Sequence, residues 1–124
     1  MSIIDKPKIL LIDDDMWQRD IYVNVLKNNY EIKSTQNLNN AIKLIESWSP
    51  QLIIADVLLS GETIFTLLNE LQSDIHLGKI PVVIITNIAD RLSGIDLKAY
   101  GINYLLDKSK ITPQDILAAA RRIL

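Results

Sequence analysis

The stretch Lys8-Ile9-Leu10-Leu11-Ile12-Asp13-Asp14-Asp15 decides the fold, because an unbroken aliphatic run ends in three aspartates. Such a run is typical of a strand that is covered on both faces, as in a parallel sheet. Polar residues that follow a strand of this kind lie at the carboxyl edge of the sheet, where open α/β sheets bind their ligands. The stretch therefore predicts a central strand with carboxylates at the ligand-binding edge.

Two more strands of this kind follow along the chain. Gln51 to Val57 (QLIIADV) is predicted as a buried strand that reaches Asp56, and Ile80 to Thr86 (IPVVIIT) as one that ends on a hydroxyl. Tyr30 to Thr35, where polar and apolar residues alternate, and Asn103 to Asp107 are predicted as shorter strands.

Helical-period segments separate these strands. Helices are predicted over Met16 to Asn28, from the N-cap Asn37 to Trp48, over Glu62 to Asp74, over Ala89 to Tyr100, and from Thr112 to the end. The first should turn Trp17, Ile21 and Val25 to one side, and Trp17 is expected to be a packing residue. The third should turn Ile75 inward. The fourth is the weakest, because it contains Gly94.

Alternating strands and helices favour a doubly wound α/β fold. The predicted architecture is a five-stranded parallel sheet in the order 2-1-3-4-5, with helices on both faces, as in flavodoxin-like proteins. Strands 1 and 3 then meet where the order reverses, and ligands bind beyond their carboxyl ends. A length of 124 residues fits one unit, so residues 1–124 are predicted to form a single domain.

The composition excludes several classes of function. The chain has no cysteine, which rules out disulfides and thiolate metal sites. A net charge of −2 argues against direct binding to nucleic acid or to a membrane surface. No apolar run approaches the length of a membrane span, and Met1 to Lys8 lacks the apolar core of a secretion signal. These features predict a cytoplasmic protein.

The residues that can carry chemistry fall at the predicted carboxyl edge. Asp13 to Asp15 follow strand 1, Asp56 ends strand 3, Thr86 ends strand 4 and Lys108 follows strand 5. Clustered carboxylates repel one another unless a cation lies between them, and an all-oxygen ligand set suits Mg2+. A carboxylate beside Mg2+ can attack phosphorus, and a lysine with a hydroxyl can neutralise the phosphoryl group. A simpler explanation also exists, since aspartates after a strand, Asp15 above all, suit a helix N-cap.

Four segments resemble the signatures of the response regulator receiver family. They are Ile9 to Asp15 (ILLIDDD), Pro50 to Asp56 (PQLIIAD), Ile80 to Thr86 (IPVVIIT) and Asp107 to Ser109 (DKS). Their order and separations match the family over essentially the whole chain. The resemblance implies a phosphorylation-dependent signalling switch of a two-component system. Such a protein is not an enzyme beyond catalysing its own phosphorylation and dephosphorylation.

The resemblance also implies a role for each residue at the edge. Asp56 accepts the phosphoryl group, Lys108 pairs with its oxygens and Thr86 donates a hydrogen bond to it. The implied ligands of Mg2+ are Asp13, Asp14, Asp56 and the backbone carbonyl of Leu58.

Further implied roles concern signalling. The backbone N–H of Asn87 faces the phosphoryl group, and Thr86, Tyr104 and Leu105 are the candidates for residues that report its presence. A histidine kinase or phosphotransfer protein is the implied phosphodonor. The face formed by helix 4, strand 5 and helix 5 is implied to bind an output partner or a second copy of the chain.

Five positions depart from the family pattern: Ser60, Ile64, Asn87, Leu105 and Ser109. Proline is common where Ser60 and Ser109 stand, so the cis peptide that the family has after its lysine is in doubt here. An aromatic ring is common at position 105. These departures favour an alternative, in which the chain is an atypical receiver that binds partners without being phosphorylated.

Two other classes of protein fit the sequence less well. A phosphatase of the haloacid dehalogenase type also uses an aspartate nucleophile, but it needs a hydroxyl at position 17, where Trp17 stands. A flavodoxin needs a glycine- and hydroxyl-rich phosphate loop after strand 1, where the three aspartates would repel phosphate.

Overall fold

The computed structural model describes residues 5–124, and residues 1–4 of the predicted domain lie outside the described residues. The helices of the described part are α1 (Met16–Leu26), α2 (Leu38–Trp48), α3 (Ile64–Gln72) and α4 (Pro113–Ile123). Its strands are β1 (Lys8–Ile12), β2 (Glu31–Thr35), β3 (Leu52–Ala55), β4 (Leu58–Leu59), β5 (Glu62–Thr63), β6 (Val82–Thr86) and β7 (Ile102–Asp107). Short 3-10 turns lie at Leu77–Lys79, Ala89–Leu92 and Lys98–Tyr100.

Five of these strands form one parallel sheet in the order β2-β1-β3-β6-β7. This is the predicted order 2-1-3-4-5 once the sheet's own strands are counted along the chain, so the doubly wound fold is confirmed. The two remaining strands, β4 and β5, pair with each other as a small antiparallel hairpin that the sequence did not predict. The hairpin lies directly after Asp56, between β3 and α3.

Both faces of the sheet are covered, which explains the aliphatic run in β1. Leu10 and Ile12 pack with α2 and α3, whereas Ile9 and Leu11 pack with α1 and α4. All four side chains are buried. Burying one such side chain stabilises the fold by roughly 1.5–3 kcal/mol. The strand is therefore anchored from both sides, and so is the loop that follows it.

The predicted starts of the first, second and last helices are confirmed. Asp15 and Asn37 each accept backbone N–H groups of the first turn through a side-chain oxygen. Thr112 and Asp115 form a reciprocal capping box, with Pro113 in the first turn. A cap of this type stabilises a helix by about 1 kcal/mol. Asp15 thus has the capping role that the simpler explanation predicted.

The prediction for the buried side of α1 is wrong. Trp17 is 77% exposed and Ile21 is 44% exposed, so Trp17 is not a packing residue. Tyr22 and Leu26 are buried instead. The sequence contains two apolar stripes one residue apart, and the cap at Asp15 fixes the start of the helix so that the second stripe faces the sheet.

The prediction of a helix from Ala89 to Tyr100 is also wrong. Two 3-10 turns, Ala89–Leu92 and Lys98–Tyr100, take its place. The N–H of Ile95 donates to the carbonyl of Leu92 at 3.1 Å, which is a turn rather than an α-helical contact. A glycine inside a short segment costs about 1 kcal/mol of helix stability.

Helix α3 is shorter than predicted at both ends. It begins at Ile64 because Glu62 and Thr63 belong to the hairpin. Ile75, which was expected inward, is 79% exposed, so this prediction is wrong. The carboxylate of Asp74 accepts the N–H groups of His76 and Leu77, which turns the chain away before Ile75 can join the core.

Candidate functional site

The candidate site is the carboxyl edge of the sheet, where four strands end. Asp13 follows β1, Asp56 follows β3, Thr86 ends β6 and Lys108 follows β7. Backbone hydrogen bonds hold these ends together: the N–H of Asp56 donates to Ile12 at 3.1 Å, and that of Lys108 donates to Thr86 at 3.0 Å. The strand register therefore places the loop residues against one another before any side chain takes part.

Lys108 joins the two aspartates that come from different strands. Its Nζ lies 2.7 Å from Oδ2 of Asp56 and 3.6 Å from Oδ2 of Asp13. The side chains of Lys108 and Asp56 are each only 14% exposed. A short ion pair that is largely shielded from water is stronger than an exposed one. The predicted convergence of Asp13, Asp56 and Lys108 is thus present in the structure.

Burial and neighbouring charges change the pKa values of Asp13 and Lys108. Desolvation raises the pKa of Asp13, and the charges of Asp56 and Asp14 add to the rise, against the N–H of Asp15 and the charge of Lys108. Burial by itself would lower the pKa of Lys108, but the hydrogen bond to Asp56 and the charge of Asp13 outweigh it and the pKa is raised. The lysine is therefore held charged, between two carboxylates.

Asp56 uses its two oxygens differently. Oδ2 pairs with Lys108, whereas Oδ1 accepts only a long hydrogen bond, 3.4 Å, from the N–H of Leu58. Leu58 begins the hairpin, where it pairs with Thr63, and its side chain is 52% exposed. One carboxylate oxygen of Asp56 is thus weakly held, beside an exposed loop.

Asp14 pairs with the hairpin, whereas Lys108 pairs with Asp13 and Asp56. Its Oδ2 accepts two hydrogen bonds from Ser60, from the backbone N–H at 3.1 Å and from the hydroxyl at 3.0 Å. Within residues 5–124 no three acidic or histidine side chains are positioned to share one metal ion. In the structure Lys108 joins two of the three predicted carboxylate ligands, and the third, Asp14, is hydrogen-bonded to Ser60 of the hairpin.

Thr86 and Asn87 lie at the end of β6. Thr86 is buried, and its hydroxyl oxygen accepts the N–H of Ile88 at 3.3 Å, which leaves the hydroxyl proton free to donate elsewhere. The side chain of Asn87 is exposed. Their predicted contacts with a phosphoryl group stay predictions.

The two switch candidates on β7 point to opposite faces of the sheet. Leu105 pairs with Ile84 and packs on the side of α2 and α3, whereas Tyr104 packs on the side of α1 and α4. Side chains alternate along a strand, so Thr86 lies on the same face as Ile84 and Leu105. An aliphatic side chain, rather than Tyr104, therefore shares a face with the threonine.

Sequence reasoning missed Tyr22 near this site. Its phenol is buried, accepts a hydrogen bond from Gln18 at 2.9 Å and lies near the ion pair. Desolvation raises the pKa of Tyr22, the charge of Lys108 opposes the rise, and that of Asp13 adds to it. Choosing the correct stripe of α1 would have revealed this residue.

The turn after Lys108 is built without a cis peptide, since none occurs in the described part of the chain. Ser109 donates its N–H and its hydroxyl to Asp107, at 2.9 and 2.6 Å. These bonds, that of the hydroxyl first, lower the pKa of Asp107. Ser109 thus fixes the turn that carries Lys108 through hydrogen bonds.

The protein family of this chain is identified by comparing its sequence with models of known families. Residues 9–121 match the model of the response regulator receiver domain. The chain belongs to the response regulator receiver family. Receiver domains are the signal-accepting modules of two-component systems, and the matched range covers all four strand ends of the site.

Individual relatives support this assignment. The receiver domain is 34% identical over 83 residues to histidine kinase P4 of Formosa agariphila, covering 67% of this chain and 6% of that protein. It is 29% identical over 122 residues to the DNA-binding dual master transcriptional regulator RpaA of a Synechocystis species, covering 95% of this chain and 49% of that protein. The receiver domain therefore spans half or less of these relatives.

A solved structure has the same fold. The chemotaxis response regulator CheY4 of Vibrio cholerae superposes with a TM-score of 0.84 at 22% identity, covering 96% of this chain and 99% of that one. At this identity the likeness shows the fold alone. None of the helices in residues 5–124 is long and apolar enough to cross a membrane.

Proposed function

We propose that this receiver domain is a phosphorylation-dependent switch that accepts a phosphoryl group on Asp56. The observation that carries the proposal is the short ion pair between Lys108 and Asp56, with Asp13 at the same ammonium. Three segments that are distant in sequence supply these groups at one sheet edge. Phosphoryl transfer to a carboxylate needs a nucleophilic oxygen with positive charge beside it.

The donor set fits Mg2+. Asp13 and Asp56 already direct oxygens at one positive charge, and the oxygen-only surroundings suit a hard cation. The residues that would hold the ion are Asp13, Asp14, Asp56 and the backbone carbonyl of Leu58. When bound, Mg2+ neutralises charge on the phosphoryl oxygens.

The chain's own groups then carry the reaction. The Oδ1 atom of Asp56, which accepts only a long hydrogen bond, attacks phosphorus, and the bond from phosphorus to the donor breaks, which forms an acyl phosphate. Lys108 moves its ammonium from the carboxylate to the new phosphoryl oxygens. Thr86 donates its hydroxyl proton to the phosphoryl group, and the N–H of Asn87 supplies a further hydrogen bond.

Several consequences belong to the same proposal. The chain catalyses only its own phosphorylation and dephosphorylation, and it receives phosphate from a histidine kinase or phosphotransfer protein in the cytoplasm. Exposed apolar side chains around the edge, Met16, Trp17 and Leu58, suit a protein donor. The output face is formed by residues 89–100, β7 and α4, and it binds a partner protein or a second copy.

A second candidate function is an interaction module that works without phosphorylation. The contact between Asp14 and Ser60 favours it, because one predicted metal ligand is engaged elsewhere. The two candidates differ in Mg2+ binding, which only the first requires.

The test is covalent labelling with a small phosphodonor. Acetyl phosphate and Mg2+ should add the mass of one phosphoryl group to the wild-type chain, as measured by intact mass spectrometry. Asp56→Asn should abolish the adduct, whereas Asp74→Asn, which changes a fully exposed carboxylate away from the edge, should leave it. Equal labelling of Asp56→Asn and wild type would refute the proposal, and so would a wild-type chain that never labels.

A further inference from the structure

The contact between Asp14 and Ser60 links the predicted metal site to the hairpin. Both hydrogen bonds from Ser60 end on one oxygen, Oδ2 of Asp14, although the two residues are 46 positions apart in sequence. A carboxylate oxygen has two lone-pair sites, and these two donors use both. This oxygen is therefore fully engaged without a metal ion.

The hairpin that carries Ser60 is a defined structure rather than a loose loop. Leu58 pairs with Thr63 and Leu59 with Glu62, so Ser60 and Gly61 form the turn. Gly61 has a φ of +75°, whereas Ser60 does not have a positive φ, which is the pattern of a type II turn. Beyond the turn, the N–H of Ile64 donates to the carbonyl of Val57 at 2.9 Å and starts α3.

We infer that Ser60 is a positioning residue that holds Oδ2 of Asp14 on the hairpin, so that the hairpin and Mg2+ compete for this oxygen. The inference rests on the proposed function. Asp14 must give up its hydrogen bonds to Ser60 before that oxygen can coordinate an ion. An ion that took Oδ2 would release Ser60 from Asp14, and removal of the ion would restore this contact.

The inference predicts the direction in which Mg2+ affinity changes when the donors of Ser60 are removed. If Ser60 merely preorganised Asp14 for the metal, removing its donors would weaken Mg2+ binding. Since Ser60 instead saturates Oδ2 of Asp14, removing its donors should free this oxygen for the ion and strengthen binding. Hydrogen bonds to a charged group are among the stronger ones, but this contact is exposed and screened, so we expect an effect of about three- to ten-fold in affinity.

The experiment is a Mg2+ titration of the metal-stripped chain by isothermal titration calorimetry. Ser60→Ala removes the hydroxyl donor only. Ser60→Pro removes both donors, and proline suits the second position of a type II turn. Ser60→Thr keeps both donors, and Ser93→Ala changes an exposed serine in the 89–100 segment. We expect affinity to rise in Ser60→Ala, to rise further in Ser60→Pro, and to stay at the wild-type value in the two controls.

The outcomes separate the inference from the proposed function. Wild-type affinity, or weaker binding, in Ser60→Ala and Ser60→Pro would overturn the inference, while loss of Mg2+ binding in Asp56→Asn would still support the proposed function. If neither the wild type nor any variant binds Mg2+, both the inference and the proposed function are refuted.

A second measurement does not depend on any variant. The Ser60 amide is bound to Asp14 when no metal is present, so its hydrogen exchange should be slow in EDTA and faster after Mg2+ is added. Exchange that stays the same or slows with Mg2+ would overturn the inference. The amide of His76, which donates to the exposed carboxylate of Asp74 in the loop before β6, at the opposite edge of the sheet, should exchange at the same rate in both conditions.

Discussion

At the scale of single residues, Lys108 is the group on which the candidate site depends. It neutralises two carboxylates that belong to different strands, at 2.7 and 3.6 Å from its Nζ. Without it, Asp13 and Asp56 would repel each other in partly buried surroundings. The same positive charge that stabilises the resting protein is the one that the proposed reaction needs.

Replacing Lys108 therefore tests the resting structure. Lys108→Met should lower the free energy of unfolding by about 1–3 kcal/mol in EDTA, because two shielded carboxylates lose their partner. Added Mg2+ should shrink this loss. Urea unfolding with and without Mg2+ measures both effects.

A matched control is available two residues along the chain. Lys110 is exposed, and Lys110→Met should change stability by less than about 0.5 kcal/mol. Equal losses in the two variants would show that the ion pairs of Lys108 do not stabilise the fold.

The buried carboxylate of Asp13 makes stability depend on pH. Its pKa is raised above 3.8, chiefly by desolvation, so the folded chain binds this proton more tightly than the unfolded chain does. The resulting stabilisation is complete below the unfolded pKa and is lost as pH rises through the folded value. In EDTA, Asp13→Asn should therefore be more stable than wild type at pH 7 and nearly equal to it below pH 3.8.

Thermal or urea unfolding between pH 3 and pH 7 follows this difference, with Asp20→Asn on the exposed side of α1 as the control. A gap between Asp13→Asn and wild type that grows toward acid pH would contradict the assignment.

At the scale of secondary-structure elements, the segment from residue 89 to 100 is the least regular part of the proposed output face. Its ends are held by Leu92, which is buried, and by Tyr100, whose ring lies 5.0 Å from that of Phe65 on α3. Between them, Gly94 is exposed and makes no close contact where a Cβ would be. The stretch around Gly94 is thus free of close packing, although Ile95 and Leu97 beyond it pack against the core.

Two glycine substitutions test this description. Gly94→Ala should stabilise the fold by roughly 0.4–1 kcal/mol, because its φ is not positive and the unfolded chain loses conformational freedom. Gly101→Ala should destabilise it, since φ is +73° and the new Cβ would lie 2.7 Å from Nε2 of Gln72. Urea midpoints compare the two, and a loss of stability in Gly94→Ala would show that the segment needs glycine there.

The strands and helices also show which secondary-structure elements could be predicted from the sequence and which could not. The run Ile9 to Ile12 could be predicted as a doubly covered strand, because it is short, unbroken and followed directly by polar residues. Helix α1 offers two stripes that differ by one residue, and periodicity alone could not choose between Trp17 and Tyr22. In residues 89–100 the side chains that reach the core are unevenly spaced, so helical periodicity did not predict the two short turns found there. These side chains are Leu92, Ile95, Leu97 and Tyr100.

At the scale of the whole molecule, the position of the site follows from topology. Parallel strands in the order found here bring the residues after β1, β3 and β7 to one edge, so Asp13, Asp56 and Lys108 could be predicted to meet. Serine followed by glycine predicts the turn at Ser60, but the hairpin around it could not be predicted, because strands of two residues carry no periodic signal. The bond from Ser60 to Asp14 depends on how the hairpin folds back over the edge.

The acceptor can be located directly on the wild-type chain. After incubation with a small phosphodonor and Mg2+, borohydride reduces an aspartyl phosphate to homoserine, and tandem mass spectrometry of peptides reads its position. We predict homoserine at position 56, and none when Mg2+ is replaced by EDTA. Homoserine at another aspartate, or at no position, would contradict the account.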